Sequence, residues 1–357
     1  MPSAFLQIFD GPGKPFRAVE QPLPNELMDG EVLVKIELAS ICGSDLHTIS
    51  GVRKGPTPTV LGHEGVGRIV GLGNKRSGLT IGDRVTWTLA DSCGVCNPCQ
   101  EHRLPEKCRS LFKYGHAAVT DGSGLSGCYA SHIFLRAGTH VVRVPDHLSD
   151  MVMVPANCAL ATMVNVVGSI PEKTKSVVIQ GGGLLGLYGC ALLRERGVEQ
   201  IFCVDVRPER LSKVPAFGGI PVDGRPEHYP EARARILESA DGGVDAVLEV
   251  AGVAALVPEG VQLLRAGGFY GFVGMVHPNS ALTLTGEQVI RKCLTIRGFH
   301  NYSPWHLDQA VQFLSDTVAK YPYESLVRPP LPLSCLEEAV KLAQTQEWFR
   351  VSVRTEF

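Results

Sequence analysis

Apolar and polar residues alternate along "EVLVKIELAS" (31–40), with Val32, Val34, Ile36 and Leu38 on one face and Leu33, Lys35 and Glu37 on the other. A period of two predicts a half-buried strand. "GVGRIVGLG" (65–73), "GDRVTWTLA" (82–90), "YASHIFLRAG" (129–138) and "HVVRVP" (140–145) repeat the theme between Gly and Pro breaks. "MPSAFLQIFDGPGKPF" at the start reads as a strand and turn. Short strands at this spacing predict a partly open β-barrel over residues 1–157. Near residue 150 the pattern changes. "DMVMVPANCALATMVNVVGSI" (150–170) is long and apolar, which predicts helix. Strands at 176–180, 201–206, 245–250, 269–275 and 293–299 then alternate with helices at 184–197, from 207, and at 254–268. That alternation predicts parallel βαβ units in a doubly wound sheet over 158–297. Residues 298–357 add two helices, at 305–320 and 335–346, and a final strand at 348–357 that returns to the first domain.

Composition narrows the class. The chain of 357 residues has 34 Lys and Arg against 36 Asp and Glu, a formal net charge of -2, which leaves no footprint for nucleic acid or an anionic membrane. No uninterrupted apolar run approaches the roughly 20 residues of a membrane span, and the N-terminus lacks the order of a signal peptide. A cytoplasmic protein is expected. Eleven cysteines in a reducing compartment argue for metal ligation rather than disulfides.

Three patterns carry chemistry. In "SVVIQGGGLLGLYG", Gly181, Gly183 and Gly186 stand in G-x-G-x-x-G order between strand and helix. The first permits a tight turn, the second lets a pyrophosphate approach, and the third packs helix on strand. Leu184 and Leu185 would supply N–H groups at the helix start. Asp205, ending the next strand about twenty residues on, would accept ribose hydroxyls and so favours NAD, while Arg207 keeps NADP within reach and Arg210 is a further cofactor-binding candidate. "CGVCNPCQEHRLPEKC" has C-x2-C-x2-C-x8-C spacing, and Cys93, Cys96, Cys99 and Cys108 suit a tetrahedral structural zinc. Cys42, His63 and Cys158 are candidates for a second, catalytic metal, although a lone helical Cys158 reads equally as core.

Taken together, "ICGSDLH", "VLGHEGVG", "GDRV", "CGVCNPC", "GGGLLG", "DAVLEVAG" and "GGFYGFVG" occur in an order that resembles the zinc-dependent medium-chain alcohol dehydrogenases over essentially the whole chain. Segments "CGVCNPCQEHRLPEKCRSLFKYGH", "VPANCALATM" and "IRGFHNY" resemble most the subgroup associated with phosphonate catabolism. The eight residues before Cys108, where the family more often has seven, depart from the pattern.

The resemblance implies a GroES-like catalytic domain beside a Rossmann domain. It also implies catalytic zinc on Cys42, His63 and Cys158, with hydride passing to NAD. A proton relay would run from Ser44 through a cofactor ribose hydroxyl to His47, with Glu64 and Asp45 tuning the metal. Residues alone would make Ser44 an N-cap and His47 a surface imidazole. Arg53, Lys54, Lys113 and His116 would suit an anionic substrate if they face the pocket, and are otherwise solvated cations. His300, Asn301 and Tyr302 are further lining candidates. The activity implied is oxidation of a secondary alcohol, with a hydroxyalkylphosphonate as one candidate. A polyol or cyclitol dehydrogenase is the alternative within enzymes, and a silent NAD-binding sensor or structural protein the alternative outside them. A homodimer or homotetramer is implied, with "GGFYGFVG" as a pairing edge.

Overall fold

A computed structural model describes residues 2–355. The chain divides into two compact units: residues 1–161 with 303–357, and residues 162–302. These divisions fall a few residues after those drawn from the sequence pattern.

The first unit is mostly β. The expected strand forms over Val32–Ile41 and is buried at nearly every position, because both its faces are covered. It pairs antiparallel with Glu64–Leu72, with His132–Leu135 and with the final strand Arg350–Arg354. The return of the C-terminal segment therefore completes the first unit's main sheet. Residues 356 and 357 of the expected final strand, and Met1 of the first, lie outside the described residues. Strand Ser3–Phe9 is the central strand of a separate three-stranded sheet, between Arg17–Pro22 and Thr59–Val60. Helices Pro304–Thr317 and Leu336–Thr345 form where the pattern predicts. A core of Ile36, Ile69, Trp87, Tyr129, Ala339 and Val351 holds the layers together.

The second unit is a six-stranded parallel sheet. Its spatial order is Ile220–Asp223, Gln200–Asp205, Ser176–Gln180, Val244–Glu249, Leu264–Phe272, Thr295–Gly298. This is the 3-2-1-4-5-6 order of dinucleotide-binding folds.

Several expectations are corrected. The stretch 150–170 is not one regular helix: Asp150–Met153 is followed by a π-helical turn, Ala156–Leu160, and then by Ala161–Gly168. Pro155, which has no N–H to donate, stands at the junction. Residues 150–168 are also long and apolar enough to cross a bilayer by length and composition, contrary to the reading of the sequence, but the stretch is 78% buried inside the fold. The helix expected over 254–268 stops at Leu263, where the strand Leu264–Phe272 begins. Gly267, at φ 73°, adopts the left-handed region and does not continue a helix. "GGFYGFVG" is not an edge, since Thr295–Gly298 pairs outside it. Strand Ile220–Asp223 and helix Tyr229–Ser239 had no expectation. Only Ile236 of that helix is buried, so its apolar stripe is weak.

Candidate active site and metal centres

Strand Val32–Ile41 ends directly before Cys42, which caps helix Gly43–Ile49. Asp45, in the first turn of that helix, accepts the Cys42 backbone N–H at 3.0 Å. Its other oxygen accepts from Gly62 N–H at 3.4 Å and faces His63 Nδ1 at 3.3 Å. Gly62 has φ +85°, and a Cβ there would sit 2.7 Å from the Tyr129 ring. Only glycine makes this turn, and the turn aims His63 inward. Tyr129 Oη donates to Asp45 Oδ2 at 3.1 Å. Asn157, in the π-helical turn, donates to the carbonyls of His63 and Trp87 at 3.0 and 2.9 Å. Its neighbour is Cys158.

These segments bring one donor atom each from Cys42, His63, Glu64 and Cys158 within 4.8 Å of one another. The donor set fits zinc: two thiolates and an imidazole are soft and borderline ligands that, with Glu64 engaged by Arg350, leave a fourth position open. His63 Nε2 is left for the metal once Nδ1 turns to Asp45, the usual arrangement in which a carboxylate orients a ligating histidine. Burial disfavours a charged His63, yet Asp45 and Cys42 outweigh it and push the imidazole up to about 10. The Cys158 thiol donates to Cys42, which lowers Cys42 and raises Cys158. A divalent cation would take over the role of those shared protons.

Glu64 is fully buried and receives Arg350 in a two-pronged pair, at 2.7 and 2.8 Å, and Ser40 Oγ at 2.5 Å. Burial lifts this carboxyl to about 7 against the pull of Arg350. Arg350 Nη2 also reaches Cys42 Sγ at 3.6 Å. Reading the sequence missed Arg350, Asn157 and Tyr129. Arg350 lies 286 residues from Glu64, and no local pattern signals it.

Ser44 Oγ lies 3.4 Å from His63 Nε2, and His47 is exposed three residues further along the same helix. Arg53 and His116 meet at 3.5 Å, and the His116 ring lies 5.3 Å from that of His63. Lys54 is exposed on its loop. His300 is exposed within the second unit.

The second cluster is local. Sulfur separations are 3.4 Å for Cys96–Cys99, 3.5 Å for Cys93–Cys108 and 3.9 Å for Cys96–Cys108. Thiolates around one tetrahedral zinc sit about 3.8 Å apart, so the four fit. Backbone N–H groups of Arg109 and Cys99 lower Cys96 to about 6, while burial raises Cys99 to about 12.

In the second unit, Gly183 begins helix Leu184–Glu195, and a Cβ at Gly183 would meet nothing within 4 Å. A Cβ at Gly186 would instead strike the Gly181 carbonyl at 2.0 Å. The loop is open where a pyrophosphate would lie and closed where helix meets strand, so it fits a dinucleotide. Leu184 is buried and Leu185 half-buried at the start of that helix. Asp205 accepts Gly182 N–H at 2.8 Å and Arg207 N–H at 2.9 Å, with Arg210 at 3.5 Å. The carboxylate thus braces the glycine loop.

Residues 28–146 match the family described as the alcohol dehydrogenase GroES-like domain, and residues 185–316 the zinc-binding dehydrogenase family. The chain is 29% identical over 326 residues to 5-exo-hydroxycamphor dehydrogenase of Pseudomonas putida, covering 88% of this chain and 89% of that one. It is 28% identical over 291 residues to L-threonine 3-dehydrogenase of Vibrio cholerae, covering 79% and 80%. An alcohol dehydrogenase structure from Thermotoga maritima superposes with a TM-score of 0.94 at 30% identity, covering 100% of both chains.

Proposed function

The chain belongs to the zinc-dependent medium-chain alcohol dehydrogenases, and we propose that it oxidises a secondary alcohol to a carbonyl with NAD as hydride acceptor. The observation that carries this reading is the meeting of Cys42, His63 and Cys158, from three separate segments, in one buried cluster. Both named relatives act, by their names, on a hydroxyl at an interior carbon. Asp205 favours NAD, because an acid at that position repels a 2′-phosphate.

When bound, zinc would supply Lewis acidity to the alcohol hydroxyl and the nicotinamide an acceptor for hydride. The chain's own residues do the rest. Cys42, His63 and Cys158 hold the metal and leave a coordination position for substrate. Ser44 Oγ, beside His63 Nε2, would take the proton the alcohol gives up while releasing its own hydroxyl proton toward exposed His47, which hands a proton to solvent. Glu64, neutralised by Arg350, sets the charge around the ligands without serving as the proton acceptor. The four-cysteine cluster pins the loop Cys93–Cys108 and leaves no open position for chemistry.

Within secondary alcohols, the finer reading is a hydroxyalkylphosphonate, supported by the likeness of the segments around Cys93–His116 and Ile296–Tyr302 to the phosphonate-associated subgroup. We read the protein as a homodimer or homotetramer, to be checked by light scattering. The test of function is reduction of NAD, followed at the reduced-nicotinamide absorbance band, with secondary alcohols before and after zinc is stripped. Turnover that vanishes on stripping and returns with zinc is expected. Full turnover in stripped protein would overturn the reading.

A further inference from the structure

Beside the catalytic cluster lie two cations and an imidazole that the metal chemistry does not use. Arg53 follows helix Gly43–Ile49, and its backbone N–H is tied to the His47 carbonyl at 2.9 Å. Lys113 pairs with Ala90 in the short ribbon at the foot of the four-cysteine lobe. His116 closes the turn that follows, its N–H bonded to the Lys113 carbonyl at 3.2 Å. All three side chains are half-buried.

Their polar partners are few. Arg53 Nη1 sits 3.5 Å from His116 Nε2. A guanidinium can only donate, so Nε2 accepts and His116 is a neutral imidazole in this contact. Among the described residues, no carboxylate pairs with Arg53 or Lys113. Burial and the neighbouring Arg53 pull Lys113 down to about 8, although the Cys42 and Cys158 thiols pull the other way. Zinc on those thiols would cancel that attraction and leave the cations without an anion. Partly buried cations that lack a counter-charge are costly, and a ligand's charge is the natural remedy. The ring contact of His116 with His63 places the group within reach of a molecule held at the metal.

We propose that Arg53, Lys113 and His116 form a subsite that binds an oxyanion carried by the alcohol substrate, so that the enzyme selects acidic over neutral secondary alcohols. The inference rests on the dehydrogenase reading but not on the phosphonate subgroup, because a phosphonate, a phosphate ester or a carboxylate presents the same chemistry. Lys54, exposed on its loop, is not part of the subsite.

The test compares 2-hydroxypropylphosphonate, 3-hydroxybutyrate and butan-2-ol, which carry the same hydroxyl and differ in the terminal group. One charge-assisted contact is worth roughly a factor of ten. Arg53→Ala is therefore expected to raise KM for the preferred acid about tenfold more than for butan-2-ol, with Lys113→Met acting in the same direction. Arg53→Lys should restore part of the loss. A readout independent of turnover is calorimetric binding of methylphosphonate and acetate to the zinc-loaded protein, which Arg53→Ala should weaken. Whichever anion loses more affinity names the source of the oxyanion.

Equal effects on acidic and neutral alcohols, or methylphosphonate affinity unchanged in Arg53→Ala because the anion sits on the metal alone, would overturn the subsite while leaving the dehydrogenase intact. If no alcohol is oxidised yet Arg53-dependent anion binding persists, the dehydrogenase reading fails instead.

Discussion

The first unit builds two thiolate clusters by opposite means. Cys93, Cys96, Cys99 and Cys108 come from one short loop, and their sulfurs are fixed by that loop's own turns and backbone N–H groups, such as Cys93 N–H to Cys108 Sγ at 3.2 Å. Cys42, His63 and Cys158 come from a strand end, a glycine turn and a π-helical turn. Their positions depend on Asp45, Tyr129, Asn157 and, through Glu64, on Arg350 near the other end of the chain. One cluster is a property of local sequence and the other a property of the finished fold. A local site anchors structure, whereas an assembled site can leave one side open for a substrate.

The sharpest test of that contrast is His63→Ala. Zinc-analysed protein is expected to lose one metal ion and keep the four-cysteine one, with kcat/KM falling by about 10⁴ or more once Lewis acidity is gone. Circular dichroism should stay unchanged, because the loop cluster shares no ligand with this site. Loss of both ions together would break the distinction.

Cys108→Ser attacks the other cluster. A structural zinc contributes folding energy directly, so the loop 93–108 should become open to protease while the catalytic ion stays. The effect on turnover is smaller and indirect. The chain leaving this loop forms the ribbon of Phe112–Lys113 with Ala90–Asp91 and then reaches His116. We expect KM to rise about tenfold, as for one lost polar contact to substrate, with little change in kcat. A collapse in kcat as large as that of His63→Ala would show that the two clusters are not separable.

The same contrast explains what could be read from the sequence. The C-x2-C-x2-C-x8-C spacing and the G-x-G-x-x-G turn announce themselves because every participant lies within one loop. Strand Val32–Ile41 was legible from its alternation and helix Leu184–Glu195 from its apolar pattern, whereas Tyr229–Ser239, which buries only Ile236, was not. Cys158 was ambiguous because a lone cysteine in an apolar helical stretch reads as core, and apolar periodicity does not encode the π-helical turn after Pro155 on which it lies. Arg350 was invisible. It sits in an ordinary-looking final strand, and its meaning appears only when that strand pairs with Val32–Ile41, opposite the strand that carries Glu64. The apparent edge "GGFYGFVG" failed for a similar reason: sheet order is a tertiary fact.

The mildest substitution probes the contrast most finely. Tyr129→Phe removes one hydroxyl that donates to Asp45 Oδ2 at 3.1 Å and leaves the ring that packs over Gly62. Asp45 keeps its backbone donors from Cys42 and Gly62, so the segments carrying Cys42 and His63 stay joined but less firmly. A hydrogen bond of this kind contributes roughly 1 kcal/mol, or about a fivefold change in an equilibrium constant. Competition with a chromophoric chelator should therefore release the catalytic zinc about fivefold more easily, while the four-cysteine ion competes as in the unsubstituted protein. Tyr129 makes that difference because it lies 84 residues from Asp45 in sequence yet beside it in the fold. A shift of both ions by the same factor would mean that the loop cluster also depends on the packed interior, and the division between a local and an assembled site would no longer hold.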